Sequence, residues 1–334
     1  MVRPMSSTGG RRWSAVAIAK NIGPYLIAAL ALGWVLRHID HKKLLTVLHQ
    51  APMGWFIAMS AFMLVLNCAA DTFAMSAVFR RFGTRVPYKD LYLVRASTYL
   101  LAVVNYHVGQ AAIVGYLYRV KRVPLMRAGG WILFIIGINV GTLFILASAG
   151  AARTSGELQI MRWIPLVCGI GIVVYAMILT IKPRFLAERR ILNPLFEMGI
   201  TGHAYGVLVR LPHIFVLLVW HFASLRMFGV QVTPGAALLY LPAYFAISSL
   251  PVNVNGIGVA QLVALFFFMP YVHVPAGTTD PIEFQKAAVT AYSLATSGIS
   301  ILLQVVLGLV CLRWATARGL KAEPVEAVAE AAAG

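Results

Sequence analysis

Apolar stretches long enough to cross a lipid bilayer recur along this chain and constrain its fold more than any other feature. About 20 helical residues, at a rise of about 1.5 Å each, cross the hydrocarbon core of a membrane. Of the 334 residues, 60% are hydrophobic and 12% are charged, a balance far from that of soluble globular domains. The sequence therefore predicts an all-α, polytopic membrane helix bundle, with six full spans at 21–36, 54–79, 128–150, 163–181, 204–225 and 287–312.

Two further apolar stretches, 91–118 and 235–272, are long for one crossing and are interrupted near the middle. The interruptions read VVNYHVGQ at 103–110 and LPVNVNGIG at 250–258. Asn, Gly and Pro disfavour helix, and broken backbone at membrane depth persists only where protein buries it or water reaches it. Each stretch is predicted to be a re-entrant hairpin or a pair of short crossings.

The basic residues predict the orientation of the chain. The net charge is +17, but the Lys and Arg residues lie almost entirely in short connections, which is typical of topology signals rather than of nucleic-acid binding. If both broken stretches return to the side they leave, 20 of the 28 lie inside, five of them in 80–95, and seven lie outside. We expect a multi-pass protein of the cell (inner) membrane with a basic cytoplasmic N-terminus at 1–20 and a disordered cytoplasmic tail at 314–334.

The order of segments repeats within the predicted membrane domain, 21–313. Each half, about 21–150 and 163–313, reads span, span, broken stretch, span, and the two halves start on opposite sides of the membrane. This order predicts an inverted repeat, an arrangement that commonly places a substrate site near the midplane between discontinuous helices.

Asp71 and Arg210 are the charged side chains expected inside spans, where charge is costly and usually faces the protein interior. Their similar distances from the cytoplasmic side make an ion pair possible. At 100° per residue, His213, His221 and Ser224 fall on the same helix face as Arg210. A guanidinium near imidazoles suits recognition of a phosphate.

The second interruption is expected to leave unpaired N–H groups where a helix restarts near Val259. Such a helix N-terminus favours binding of an anion. Asn253 and Asn255 add polar side chains there, and Asn105 stands at the first interruption. A plain tight turn is the alternative reading.

Two motifs resemble the flippase-like membrane domain of lysylphosphatidylglycerol synthases and its free-standing relatives. Matching positions are Pro251, Gly256, Ile257, Gly258 and Val259 in the second half, and Gly109, Tyr116, Leu117, Tyr118 and Arg119 in the first. Gln110 and Gln261 stand where the family has acids, and Ala260 replaces an arginine, which puts a proton- or cation-coupled cycle in doubt and leaves hydrogen bonding to a headgroup possible. The resemblance implies lipid translocation, here without the soluble synthase domain.

The leading hypothesis is a translocase for a phospholipid or lipid-linked precursor with an anionic headgroup, rather than an enzyme. Alternatives are an intramembrane transferase using Asp71 and Asp90, and an accessory subunit of a lipid-modifying enzyme. The expected partners are membrane lipids and, for an accessory subunit, such an enzyme; no cofactor, metal or nucleic acid is expected. The candidate substrate-binding residues are Asn105, Gly109, Gln110, Arg210, His213, His221, Asn253, Asn255, Gly256, Gly258 and Gln261.

Overall fold

The computed structural model describes residue 30 and residues 32–152, 163–249 and 259–318. Twelve α-helices have their ends within these residues, so the all-α prediction is confirmed. A 3-10 turn, Met269–Tyr271, follows the eleventh. The helices are α1 His41–Gln50, α2 Met53–Arg81, α3 Tyr88–Ser97, α4 Tyr99–Val104, α5 Tyr106–Lys121, α6 Leu125–Ala151, α7 Ile164–Ile181, α8 Arg184–Ala187, α9 Asn193–Met227, α10 Pro234–Ser248, α11 Val259–Phe268 and α12 Pro281–Ala317.

Five of these helices, α2, α6, α7, α9 and α12, are long and apolar enough to cross a membrane. They contain four of the six predicted spans and all but the first residue of a fifth, 163–181, while most of the sixth, 21–36, lies outside the described residues. The predicted span began at residue 204, whereas α9 begins at Asn193. The first turns of α9 were missed because they carry polar and charged residues. The helix bends at Gly199, where φ is +57°.

The surface of α7 shows which solvent surrounds the bundle. Leu179 is its one buried residue, and large apolar side chains such as Val167 and Val173 are mostly exposed. A continuous apolar surface of this size is unfavourable in water but not in hydrocarbon. The chain is therefore a polytopic membrane protein.

Helices α2 and α9 pack against each other in opposite directions. As the residue number falls along α2, the residue number of the partner rises along α9. The three contacts that show this are Asp71 with Arg210, Asn67 with His213, and Ser60 with Trp220.

One end of the bundle, here called the basic end, gathers the C-terminus of α2 and the N-termini of α6 and α9. Phe82 stacks on Trp131 with ring centroids 4.9 Å apart, and Arg127 pairs with Glu197 at 3.0 Å. Arg318, after α12, pairs with Asp90 of α3 at 3.1 Å. The segment from α3 to α5 therefore leaves the basic end and returns to it.

The opposite end, here called the far end, is closed by backbone contacts after α9 and α11. The Gln231 N–H donates to the Tyr271 carbonyl at 2.7 Å, and the His273 N–H donates to the Gly229 carbonyl at 3.0 Å. Lys43 lies 3.9 Å from Asp280 at the same end. The segment from α10 to Tyr271 thus also leaves and returns to one end, the opposite end from the first.

The first broken segment is interrupted twice rather than once. Its predicted break falls at Asn105, whose extended backbone separates α4 from α5 and whose side-chain oxygen caps α5 by accepting from the His107 N–H at 2.9 Å. A second break, at Thr98, separates α3 from α4. The break predicted at 250–258 lies outside the described residues.

Two features of the predicted connections are corrected by the structure. The connection 37–53 contains α1, which Asp40 caps and whose Leu44 and Val47 are buried, so it packs along α12. Arg95, counted in the solvated connection 80–95, is buried in α3. Of the Lys and Arg residues that the structure describes, fourteen then lie at the basic end, five at the far end and two, Arg95 and Arg210, in the interior.

Cysteine labelling from each side of the membrane is expected to report this arrangement. With the three native cysteines replaced by alanine, Arg85→Cys and Lys121→Cys should react with an impermeant maleimide from one side, and Thr279→Cys only from the other. If Lys121→Cys instead reacted together with Thr279→Cys, the first broken segment would be a single crossing and the described packing would be wrong.

Candidate functional site

Asp71 lies in the interior between two arginines. Its Oδ2 accepts from the Nε of Arg95 at 2.5 Å, and its Oδ1 accepts from the guanidinium of Arg210. The relative exposures of Asp71, Arg95 and Arg210 are 2%, 7% and 6%. Asp71 is the one buried carboxylate among the residues that the structure describes, so this group carries two positive charges against one negative charge.

Further contacts hold the two guanidiniums in place. Arg210 Nε donates to Asn139 Oδ1 on α6 at 3.0 Å. Arg95 lies 5.2 Å from the ring centroid of Tyr99, and its terminal nitrogen is 3.5 Å from Thr98 Oγ1. Asp71, Arg95, Asn139 and Arg210, together called the Asp71 cluster, therefore join α2, α3, α6 and α9.

His213 lies beside this cluster, one turn after Arg210. It is buried, and its Nδ1 is 3.4 Å from the carbonyl oxygen of Asn67, which precedes Asp71 by one turn. The side-chain oxygen of Asn67 is buried without a hydrogen-bond partner in the described chain. One buried polar atom without a partner among the described residues thus lies near the charged cluster.

His221 occupies a different environment from Arg210. Eleven residues of helix separate the two, about 16 Å along the axis. His221 Nδ1 is 2.8 Å from the Tyr292 hydroxyl, and its ring packs edge-on against Phe245. The shared helix face therefore does not bring His221 into the Asp71 cluster.

The other candidate residues lie in or near the broken segments. Asn105 serves as the cap of α5, and Gly109 allows α5 to approach α4, since a Cβ there would lie 2.9 Å from Ala102 Cβ. Gln110 and Gln261 are buried in α5 and α11. Asn253, Asn255, Gly256 and Gly258 lie outside the described residues.

Sequence reasoning missed Arg95 and Asn139. Arg95 stood at the edge of an apolar stretch and was assigned to a connection, although its neighbours Leu91, Val94 and Ala96 are apolar and buried. A buried aspartate needs cationic partners, and this requirement could have predicted that Arg95 is buried next to Asp71.

The chemistry open to the acids follows from their partners. Both oxygens of Asp71 accept from guanidiniums, so its lone pairs are already engaged by cations. Asp90 forms a partly exposed pair with Arg318. Among the described residues, no three His, Cys, Asp or Glu side chains come close enough to hold a metal ion.

A groove of about 430 Å³ opens at the basic end between α2, α3 and the end of α12. Its lining includes Val65 and Ala69 of α2, together with Tyr88, Lys89 and Trp314. Ala69 is two residues from Asp71, and its carbonyl accepts from the Tyr88 hydroxyl at 2.8 Å. The groove therefore lies beside the helices that carry the Asp71 cluster.

The chain matches no protein-family model and no curated protein. The resemblance to the membrane domain of lysylphosphatidylglycerol synthases stays an expectation from its motifs.

Proposed function

We propose that this protein moves an amphipathic lipid with an anionic headgroup between the two leaflets of the membrane. The observation that carries the proposal is the excess positive charge of the Asp71 cluster. A buried charge is costly unless it is paired. A phosphate group bound at Arg95 and Arg210 would neutralise the excess, and guanidiniums suit phosphate because they donate two parallel hydrogen bonds.

The packing of the helices supports an inverted repeat around this cluster. The second span of each half, α2 in the first and α9 in the second, runs antiparallel to the other. The last span of each half packs on the broken segment of the other half. Helix α6 packs on α10, and α12 packs on α3. The two broken segments start from opposite ends, which is what a pseudo-twofold axis in the membrane plane requires. Rocking of such halves would expose the cluster to each leaflet in turn.

The groove at the basic end supports entry of the lipid from that leaflet. Its apolar lining residues, Val65 and Ala69, suit an acyl or prenyl chain, while Lys89 and the aromatic rings of Tyr88 and Trp314 suit the headgroup region. With the basic end in the cytoplasm, as the positive-inside rule requires, this is the inner leaflet of the cell membrane.

Lipid movement in reconstituted liposomes tests the proposal. Wild-type protein is expected to make labelled anionic or polyprenyl-phosphate lipids of the inner leaflet accessible to an external quencher. Arg210→Met should slow this about 10- to 100-fold, since hydrogen bonds to a charged group contribute about 1.5–3 kcal/mol. The variant leaves Asp71 and Arg95 as a balanced pair, so we expect it to fold.

The matched control is Arg226→Met, which removes an arginine from the same helix at its exposed end. It should retain the wild-type rate. Absence of protein-dependent movement for every anionic lipid tried with the wild-type protein would refute the proposed function.

A further inference from the structure

Three hydroxyl groups on α12 are buried and have no hydrogen-bond partner among the residues that the structure describes. Thr290, Ser293 and Thr296 are 1%, 2% and 5% exposed, and none of their oxygens forms a hydrogen bond within the described chain. A buried polar group without a partner is unfavourable and uncommon in native proteins. All three lie within two turns of one helix.

Six other helical hydroxyls in the described residues behave differently. Each donates to the carbonyl four residues earlier on its own helix, at 2.6 to 2.8 Å, which satisfies the hydroxyl locally: Thr72, Ser97, Thr142, Ser148, Thr180 and Ser224. The α12 hydroxyls could do the same and do not. Their oxygens are therefore left for a partner other than the backbone of α12.

The polar face continues along α12 toward the Asp71 cluster. At 100° per residue, the polar residues Thr290, Ser293, Thr296, Ser297, Ser300 and Gln304 fall within an arc of about 120°. From Thr290 to Gln304 the face is about 21 Å long. It points the same way as Gly308, where an added Cβ would meet Leu100 and the Ala96 carbonyl, next to Arg95.

We infer that this face of α12 lines a hydrated path along which the headgroup travels between the Asp71 cluster and the far end. The inference rests on the proposed function and names the route that the cargo takes. Hydroxyls both donate and accept, so they can replace the water around a phosphate without adding a charge that would trap it. The charged cluster then selects the anion, and the neutral α12 face lets it pass.

Replacing the three hydroxyls tests the path without touching the cluster. In Thr290→Val/Ser293→Ala/Thr296→Val, lipid movement in liposomes should fall about tenfold or more, because the headgroup loses three partners that a methyl group cannot replace. The midpoint of thermal unfolding should be unchanged or higher, since unpaired buried hydroxyls are removed. Binding of a labelled anionic lipid in detergent should be retained.

Two controls separate the path from packing. Thr142→Val/Ser148→Ala/Thr180→Val makes the same chemical changes at hydroxyls that bond to their own helix, and should retain the wild-type rate. Thr290→Ser/Thr296→Ser keeps the hydroxyls and should also retain it.

The outcomes separate this inference from the function on which it rests. If the wild-type protein moves no lipid, both fail. If Arg210→Met is slow but the α12 triple variant moves lipid at the wild-type rate, the path alone is wrong. Failure of the triple variant to fold would make the hydroxyls structural and would also overturn the path.

Discussion

Asp71→Asn is expected to destabilise the protein by about 3–5 kcal/mol, the cost of breaking a buried ion pair by removing one partner. The asparagine keeps the size of the side chain but leaves the guanidiniums of Arg95 and Arg210 buried without a counter-charge. Thermal unfolding in detergent should therefore show a large drop in the midpoint. The drop should exceed that of Arg210→Met, which leaves a balanced pair.

The matched control is Asp90→Asn at the basic end. Its partner Arg318 lies 3.1 Å away, but the two side chains are 22% and 50% exposed, so the loss should be less than about 1 kcal/mol. If Asp71→Asn unfolded at the same temperature as Asp90→Asn, the two interior arginines would be satisfied by something other than Asp71, and the charge count behind the proposed function would be wrong.

Removing all three charges is expected to separate stability from function. In Asp71→Leu/Arg95→Met/Arg210→Met the apolar side chains fill similar space, and such replacements of buried ionic groups are often neutral or stabilising by about 1–4 kcal/mol. The midpoint of thermal unfolding should return to the wild-type value or exceed it. Lipid movement should fall to the level of liposomes without protein, because no cation remains in the Asp71 cluster to bind the headgroup.

Wild-type lipid movement by this uncharged variant would contradict the assignment of the cluster to the headgroup. A folded, stable and inactive variant is the expected result, and it would show that the arginines are retained for the cargo rather than for the fold. Arg95→Lys/Arg210→Lys serves as the reference that keeps the charge but loses the planar fork of donors. Its rate should lie between those of the wild type and the uncharged variant.

Features that depend on consecutive residues could be predicted from the sequence, and features that depend on contacts between distant residues could not. The apolar stretches within α2, α6, α7, α9 and α12 and the break at Asn105 were readable because hydropathy and helix breaking are local properties of consecutive residues. The second break at Thr98 was not, since Thr98 carries no strong breaking signal. Arg95 was assigned to the wrong environment because it stands at the edge of an apolar stretch and its charged partner, Asp71, is 24 residues away.

The polar face of α12 was also open to sequence reasoning. Its Ser, Thr and Gln residues recur at helical spacing in an apolar span, as do the polar residues on the helix face of Arg210. Their significance comes from the three-dimensional structure, since only there is it visible that three of the hydroxyls forgo the usual bond to their own backbone.

The sequence by itself determined that this is an all-α protein of the membrane and where most of its helices run, because the cost of exposing polar groups to hydrocarbon acts on every consecutive residue of a span. Only the tertiary structure decided which helices meet, that the first broken segment has a second break, and that Asp71 binds two arginines rather than one. Those outcomes depend on packing between residues far apart in the chain, which no local pattern encodes.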